Sequence, residues 1–212
     1  MEHRQFTDKL RAAIRENDLP GTDVQWEMAS SDRKIKNFPR SRRKDSQLAA
    51  VLILLYPLGG SLHTLFIQRP LYQGVHSGQI SFPGGKMEKG DKDLRATAIR
   101  ETCEETGLCA GESDIMGQLT PLYIPVSDIE VSPFVAYRPQ RPELRPCKDE
   151  VVAVIEAPLS IFLDDSTIKE KQMLIRDEPL RVKYYDYKGL VIWGATAMMM
   201  HELTTVIKRM HE

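Results

Sequence analysis

Residues 76–108 read HSGQISFPGGKMEKGDKDLRATAIRETCEETGL, and the rest of the chain is organised around them. The pattern passes from an extended segment through the turn Pro83-Gly84-Gly85 into a helix. That helix is predicted to begin near Asp91 or Asp93, as its N-cap, and to end at Gly107 in the left-handed C′ position. The glycine pair lets the backbone come close to a metal ion or a phosphate without an intervening Cβ.

The predicted helix carries Glu101, Glu104 and Glu105 on one face, since residues spaced by three and four share a helical face. Three like charges in this arrangement destabilise the helix unless a cation neutralises them, which indicates a divalent metal site. Carboxylate oxygens suit Mg²⁺ or Mn²⁺. Arg100 is suited to hold a carboxylate in a bidentate contact, with Asp91 as its expected partner. Glutamate-rich helices are usually only solvated, so the order of turn, acidic residue, Arg-Glu and Glu-Glu carries the interpretation.

Length and composition predict one substantial domain. The chain has 212 residues and a net charge of −1, which argues against broad electrostatic binding of nucleic acid or of anionic membrane. No apolar run reaches the roughly 20 residues that span a bilayer. The three cysteines, Cys103, Cys109 and Cys147, are odd in number and form no CxxC pair, so neither a disulfide framework nor a zinc site is expected. A reducing cytoplasmic location is the prediction.

The N-terminal region is predicted to be an accessory to the main domain. Apolar residues recur at helical spacing over residues 6–14, which indicates a short amphipathic helix. The polar residues 22–47 predict a linker or irregular strand rather than a second core element. They contain a basic cluster that is either solvated surface or, as the weaker alternative, a phosphate-binding patch: Arg40, Arg42, Arg43 and Lys44. The expected organisation is a helix and linker over residues 1–47, packed on a main domain of residues 48–212.

The remaining segments are mostly β-prone. The runs LAAVLILLY and LHTLFIQR flank Gly59-Gly60, which predicts a hairpin whose buried first strand stops at Pro57. MGQLTPLYIP, VSPFVAYRP and EVVAVIEAPL read as strands of a mixed sheet. PLSIFLDD is typical of a short helix, and RVKYYDY and LVIWG of strands joined by a turn at Gly189. The methionine-rich residues 195–210 predict a C-terminal helix that packs on the core.

Residues 85–108 resemble the Nudix box, G-x5-E-x7-R-E-U-x-E-E-x-G-U, where U is aliphatic. Three positions depart from the pattern: Asp91 replaces the glutamate, eight residues rather than seven separate it from Arg100, and Thr102 replaces an aliphatic residue. The Asp and the extra residue resemble the coenzyme A pyrophosphatase branch of the family. So do FPGGKMEKGD followed by TAIRE, and WGATA near the C-terminus.

That branch also carries a motif upstream of the box. LFIQRPLYQGVHSGQISFPGG supplies four of its positions in register: Arg69, Gly78, Ile80 and Phe82. Pro70 and Gly74 stand where a serine and a second arginine are expected. Similarity to the coenzyme A branch is therefore weaker than similarity to the family as a whole.

The resemblance implies an α+β Nudix fold, an α/β/α sandwich in which a mixed sheet lies between helices and the box forms a loop-helix-loop. It implies that Glu101, Glu104 and Glu105 bind Mg²⁺ or Mn²⁺, that the Gly84 carbonyl is a further ligand, and that Arg100 orients the carboxylates. Asp91 and Gly107 would brace the box. Three residues are candidates to bind the substrate: Arg69, Gly85 and Lys86. Glu104 is favoured as the general base, while Glu105, Glu130 and Glu150 remain open.

The implied activity is hydrolysis of a diphosphate linkage in a nucleoside diphosphate derivative. Coenzyme A or an acyl derivative is the favoured substrate, giving adenosine 3′,5′-bisphosphate and the 4′-phosphopantetheine product. ADP-ribose or another nucleotide is the first alternative, and a non-catalytic nucleotide-sensing module is the second. The expected partner is a small-molecule nucleotide, without nucleic acid or membrane, and a homodimer is a family-level expectation.

Overall fold

A computed structural model describes residues 2–15, 19–31, 39–71, 76–175 and 178–211. Its helices α1 to α5 span Glu2–Arg15, Gly21–Glu27, Leu94–Thr106, Leu159–Leu163 and Gly194–Arg209. Its strands β1 to β11 span Gln47–Leu58, Ser61–Gln68, Ile80–Ser81, Gly84–Lys86, Ile115–Gln118, Leu122–Ile124, Ile129–Tyr137, Ala153–Pro158, Ile168–Ile175, Glu178–Tyr187 and Leu190–Trp193. Gly74, one of the departures in the upstream motif, lies outside the described residues.

The main sheet has the core order β3-β2-β1-β7-β5, with β4 paired to β1, β6 to β7 and β8 to β2. The β1–β7 pair is parallel and the others are antiparallel, so the predicted mixed sheet is confirmed. A smaller antiparallel sheet, β11-β10-β9, lies beside it. Its strand β9 was not predicted, because the first half of IKEKQMLI is mostly charged and only its last three residues are apolar, so the segment shows no period-2 alternation.

Strand β1 is the centre of the molecule and is buried on both faces. Its odd-numbered residues from Ala49 to Leu55 join one apolar cluster with α5 and the N-terminal helices. Its even-numbered residues from Ala50 to Tyr56 join a second cluster beneath α3. Helices therefore cover both faces of the sheet, and the predicted α+β sandwich is confirmed. This arrangement lets one uninterrupted apolar run serve two cores.

The β1–β2 hairpin is confirmed, with a different first boundary. The strand continues through Pro57 to Leu58, which pairs with Ser61 across the two-residue turn Gly59-Gly60. Both glycines have positive φ, 58° and 85°, as a tight hairpin turn requires. Pro57 is tolerated because the strand is already at its end, where a missing N–H costs little.

The prediction of a linker over residues 22–47 was wrong for its first part, which forms α2. This helix packs against α5 through a polar contact: Gln25, fully buried, donates to the Glu202 carboxylate at 2.8 Å and to the Thr120 carbonyl at 2.8 Å. The backbone N–H of Gly21 also donates to Glu202. A helix whose buried face is polar has no apolar periodicity, and for this reason the sequence pattern did not indicate it.

The basic cluster after α2 is engaged in ordinary surface contacts. Arg40 pairs with Asp23 and lies 4.7 Å from the centre of the Trp26 ring. Arg42 pairs with Glu130 at 3.1 Å. These contacts favour the solvated-surface interpretation over a phosphate-binding patch.

The C-terminal helix α5 packs on one face of the main sheet. Its methionines Met198, Met199 and Met200 are buried, as predicted from their spacing. The Thr196 hydroxyl donates to the Ile80 carbonyl and so links the start of α5 to the segment before the glycine turn. Within the described ranges, no helix has the length and apolar character needed to cross a bilayer.

The sequence predicts no disulfide framework, and the structure contains a single disulfide that the cysteine pattern did not indicate, between Cys103 and Cys109. An odd cysteine count argues against a framework of several bridges but leaves room for a single one. The chain reverses direction at Gly107, whose φ is 73°, and this brings the two Cα atoms within 4.4 Å. Cys147 is free. The inference of a reducing compartment therefore loses its basis in the cysteine pattern.

Reduction of this disulfide is expected to lower the melting temperature by about 5 °C. Closing so short a loop restricts the unfolded chain and contributes roughly 2 kcal/mol, and about 1 kcal/mol shifts the melting temperature of a protein this size by 2–4 °C. Thermal unfolding with and without dithiothreitol measures the effect. Cys147→Ser should keep the response to reductant and Cys103→Ser should lose it. Identical melting curves for oxidised and reduced wild-type protein would contradict the prediction.

Candidate active site

Helix α3 begins and ends where the sequence predicts. The Asp93 side chain caps its first turn by accepting a hydrogen bond from the Ala96 N–H at 2.8 Å. Gly107 ends it in the left-handed conformation, with its N–H donating to the Cys103 carbonyl at 2.8 Å. Both ends of the glutamate-bearing helix are therefore fixed by local hydrogen bonds.

The apolar residues Ala96, Ile99 and Cys103 recur at helical spacing, but they are not the face that α3 presents to β1. Ala96, Ile99 and Cys103 are only partly buried, whereas Ala98, Thr102, Glu105 and Thr106 are buried. Thr102 and Thr106 donate their hydroxyls to carbonyls one turn earlier, at 2.7 and 2.6 Å. Because these hydroxyls are satisfied within the helix, threonine can replace the aliphatic residue of the box in this core.

The glycine turn lies directly under this helix. Gly84 and Gly85 pair with Val51 and Ala50 of β1. A Cβ on Gly84 would lie 2.2 Å from the Ala50 carbonyl oxygen, and a Cβ on Gly85 would lie 2.4 Å from the carboxylate of Glu101. A side chain at Gly84 would clash with the backbone of β1, and one at Gly85 would displace the Glu101 carboxylate, which therefore lies against bare backbone.

Glu105 is buried in the site, with 2% of its surface exposed. One oxygen accepts a hydrogen bond from the Gly84 N–H at 2.8 Å, and the other lies 3.5 Å from the guanidinium of Arg69. Burial nevertheless dominates and raises the pKa of Glu105 to about 7. Burial also raises the pKa of Glu101. The site thus holds two carboxylates whose negative charge is incompletely compensated by protein groups.

Arg100 connects the loop before α3 to the glutamates on it. Its guanidinium donates to both oxygens of Asp91, at 2.9 and 3.0 Å, in the contact that the sequence predicts. It also donates to the Lys86 carbonyl at 3.1 Å, to Glu104 at 2.9 Å, and lies 3.1 Å from Glu101. Arg100 holds the pKa of Asp91 far below its usual range. One side chain therefore sets the position of the loop and of two glutamates.

A cavity of about 310 Å³ opens beside these groups. Its lining consists of Arg69, Pro70, Gly84, Gly85, Glu101, Glu105, Asp149 and Glu150. The last two come from the loop between β7 and β8, which is tied to the end of α3 by the Cys147 N–H on the Glu105 carbonyl and the Arg145 N–H on the Thr106 carbonyl. Two carboxylates that are distant in sequence thus join the box.

Some predicted site residues lie outside this cavity lining. The Glu104 side chain is 54% exposed and turns to Arg100. Lys86 is exposed, and Glu130 pairs with Arg42 instead of entering the site. Asp149 was missed altogether, and its only signal in the sequence is an acidic pair, Asp149-Glu150, directly before a β-prone segment.

A model of the NUDIX domain matches residues 46–174, which include the glycine turn, the glutamate helix and the Asp149-Glu150 loop. The chain belongs to the Nudix family. The box departures at Asp91 and Thr102 are therefore accommodated within a genuine Nudix domain, through the Arg100 contact and the internal threonine hydrogen bond.

Curated Nudix relatives resemble the chain over most of its length. It is 36% identical over 166 residues to Nudix hydrolase 22, chloroplastic, from Arabidopsis thaliana, covering 75% of this chain and 55% of that protein. It is 31% identical over 170 residues to the uncharacterized Nudix hydrolase NudL of Photorhabdus laumondii, covering 80% and 90%. The chain thus spans little more than half of the plant relative and most of the bacterial one.

A solved Nudix structure supports the fold. The MutT/nudix family protein from Enterococcus faecalis superposes with a TM-score of 0.54 at 16% identity, covering 85% of this chain and 71% of that one. At this identity the similarity concerns the fold only. It agrees with the mixed sheet between helices described above.

The donor groups at the site are of the type that hard divalent cations prefer. Glu101, Glu104, Glu105 and the Gly84 carbonyl could each offer an oxygen atom to a cation, and burial disfavours the charged form of Glu105. In the part of the chain that the structure describes, no three carboxylate, imidazole or thiol side chains already converge as a metal cluster. Glu101 and Glu104 turn to Arg100, and Glu105 to Gly84. Cation binding would require these side chains to reorient.

Proposed function

We propose that the protein hydrolyses the diphosphate linkage of a nucleoside diphosphate derivative with the help of Mg²⁺ or Mn²⁺. One observation carries this proposal: the glycine turn, two carboxylates of the Nudix helix and the guanidinium of Arg69 line the same cavity. Carboxylates suit the cation and a guanidinium suits phosphate oxygens. The hydrolases among the curated relatives support the same reaction class.

The proposed cation ligands are Glu101, Glu104, Glu105 and the Gly84 carbonyl. When bound, a divalent cation neutralises phosphate charge and lowers the pKa of water. Arg100 orients Glu101 and Glu104, both of which contact its nitrogen Nη1. Because Gly85 has no Cβ, the Glu101 carboxylate can occupy the space where a side chain at position 85 would lie.

Substrate phosphates are proposed to bind Arg69 and the backbone of Gly85, both of which line the cavity. Lys86 is exposed next to this turn and belongs to the same proposal as a peripheral charge. Glu104 is one candidate for the proton acceptor, because it contacts the same Arg100 nitrogen, Nη1, as Glu101 does. Glu150 is its rival because it lines the cavity. Comparison of Glu104→Gln with Glu150→Gln distinguishes the two through the acid limb of the pH–rate profile.

Coenzyme A or an acyl derivative is the proposed substrate. The support is the branch-like sequence FPGGKMEKGD and TAIRE, together with Arg69 in register upstream. Pro70 lines the cavity where the branch has a serine, so ADP-ribose or another nucleotide is the alternative. A purely nucleotide-sensing module is disfavoured because all three box glutamates and Arg100 are present and positioned together.

A substrate screen tests this proposal. The protein is incubated with coenzyme A, acetyl-coenzyme A, ADP-ribose and a dinucleoside polyphosphate, each with Mg²⁺ or Mn²⁺, and products are identified by mass. Release of adenosine 3′,5′-bisphosphate and 4′-phosphopantetheine supports the coenzyme A assignment, whereas preferential turnover of ADP-ribose replaces it. Failure to hydrolyse any diphosphate would remove the catalytic proposal and leave the sensing module.

The division into residues 1–47 and 48–212 is proposed on the same sequence grounds. The N-terminal part packs on the main domain through Leu10 and Ile14 of α1 and through Met28, which directly follows α2. A homodimer, a cytoplasmic location and the lack of nucleic-acid or membrane partners likewise stay predictions from the sequence.

A further inference from the structure

Arg69 contacts two of the groups proposed as cation ligands. One of its terminal nitrogens, Nη2, donates to the Gly84 carbonyl at 2.9 Å and lies 3.5 Å from the Glu105 carboxylate. Its Nε donates to the Ser81 hydroxyl at 3.3 Å, and its backbone N–H to the Gln79 carbonyl at 3.0 Å. The main chain of Arg69 is thus fixed while its guanidinium reaches into the site.

A divalent cation would need the same acceptors. Arg69 Nη2 and a doubly charged cation would compete for the Gly84 carbonyl and Glu105, because two like charges a few ångströms apart repel strongly in a partly buried site. The cation is the stronger partner for a carboxylate and a carbonyl, since it carries twice the charge. Binding of the cation must therefore displace the guanidinium.

The displaced guanidinium has a defined place to go. The cavity lining contains four carboxylates, Glu101, Glu105, Asp149 and Glu150, and among its described residues Arg69 is the sole cationic side chain. The Arg69 side chain lines this cavity and is 27% exposed, so it is accessible from the opening. Once it is released into this opening, the planar guanidinium of Arg69 can donate two hydrogen bonds to two oxygens of a diphosphate.

We propose that Arg69 is an exchange residue that holds Glu105 and the Gly84 carbonyl until a divalent cation takes them, and then binds the substrate diphosphate. The proposal rests on the cation site under the proposed function. It implies an order, with the cation binding before the diphosphate. The proposal differs from a purely structural role for Arg69 in its effect on cation affinity. A residue that only fixed Glu105 in place would assist cation binding, whereas an exchange residue competes with the cation.

Cation affinity of variants tests this distinction without turnover. Mn²⁺ binding to chelator-treated protein is measured by electron paramagnetic resonance of free Mn²⁺. Arg69→Ala is expected to bind Mn²⁺ about fivefold more tightly than wild type, since the competing cation is gone. Lys86→Ala is the control for general electrostatics, because it removes one positive charge next to the glycine turn and leaves the Arg69 contacts with Gly84 and Glu105 in place. It should change the affinity less than about twofold.

Nuclear magnetic resonance of the arginine Nε–H group gives a second measurement. The Arg69 signal is assigned by its loss in Arg69→Lys, and saturating Mg²⁺ is expected to shift it in wild-type protein. Thermal unfolding verifies that each variant is folded, and the wild-type spectrum decides the matter should Arg69→Ala fail to fold.

Equal or weaker Mn²⁺ binding by Arg69→Ala, an equal gain in Lys86→Ala, or an Arg69 signal unmoved by Mg²⁺ would overturn the exchange. Lack of Mn²⁺ binding in every form would overturn it as well. Tighter Mn²⁺ binding together with an absence of diphosphate hydrolysis in wild type would instead leave the exchange standing and remove the proposed reaction.

Discussion

Glu105→Gln is expected to lower kcat about a thousandfold, equivalent to ~4 kcal/mol of transition-state stabilisation. Glutamine has nearly the same shape, and its carbonyl oxygen can still accept the hydrogen bond from the Gly84 N–H, which is 2.8 Å from the native carboxylate. It lacks the negative charge that the proposed cation requires. The variant therefore removes charge from the site while it preserves the local hydrogen bonding.

The measurement is steady-state hydrolysis of the best diphosphate substrate over a range of Mg²⁺ concentrations. Glu143→Gln is the matched control, because Glu143 is a glutamate with 77% of its side chain exposed and its ion pair among the described residues is with Arg145 at the surface. It should retain wild-type kcat. If Glu105→Gln kept more than about a tenth of wild-type kcat at saturating Mg²⁺, the role of Glu105 in the reaction would have to be abandoned.

The same variant separates a functional from a structural role through its stability. The pKa of Glu105 is raised to about 7 by burial, against about 4.3 in an unfolded chain. The neutral form is favoured by folding, so this contribution is present below pH ~4.3 and lost as pH rises through ~7, for a total of roughly 4 kcal/mol. In the presence of a chelator, Glu105→Gln should therefore be more stable than wild type at pH 8 and similar near pH 4, as urea unfolding can show.

Those parts of the fold that depend on neighbouring residues follow from the sequence. The caps of α3 at Asp93 and Gly107 are set by side-chain and backbone hydrogen bonds within one turn. The β1–β2 hairpin is set by two glycines with positive φ. Even the contact between Asp91 and Arg100 spans only nine residues and follows from placing the loop at the start of the helix. Short-range physics is sufficient for each of them.

Those parts that depend on distant partners do not follow in the same way. Helix α2 is held by Glu202, which lies 177 residues from Gln25, and without that partner its polar sequence reads as a linker. Asp149 lines the site because its loop is held there by the hydrogen bond from the Cys147 N–H to the Glu105 carbonyl. The threonine-lined face of α3 is compatible with a core only because its hydroxyls bond backward along the helix. Residue type and local spacing do not predict which distant residues will make these contacts.

Arg100→Ala is expected to lower the free energy of unfolding by about 3 kcal/mol, because it leaves a mostly buried carboxylate without its charged partner. The Asp91 side chain is 5% exposed and receives two hydrogen bonds from Arg100. Asp91→Asn should cost about 2 kcal/mol, since it can keep its contacts with the Glu88 N–H and the Thr97 hydroxyl. Urea unfolding at pH 7 measures both.

The double variant should lose about 2 kcal/mol less than the sum of the single losses, since each single change removes the same interaction. Arg181 and Glu170 form the control pair, because their side chains are 67% and 46% exposed and 3.9 Å apart, and their coupling should be near zero. The pH dependence has a definite sign. Since Arg100 depresses the pKa of Asp91, the coupling is complete above pH ~4 and is lost as pH falls further.

The kinetic effect of Arg100→Ala distinguishes a brace of the loop from an organiser of the site. If Arg100 only fixed Asp91, Asp91→Asn and Arg100→Ala would lower kcat equally. Arg100 also holds Glu101 and Glu104 from one nitrogen, and displacing catalytic groups by about 1 Å can cost a hundredfold in rate. Arg100→Ala should therefore lower kcat about a hundredfold and Asp91→Asn markedly less. Equal kinetic losses would show that the two glutamates find their positions without Arg100, through the Gly85 backbone and the packing of α3 alone.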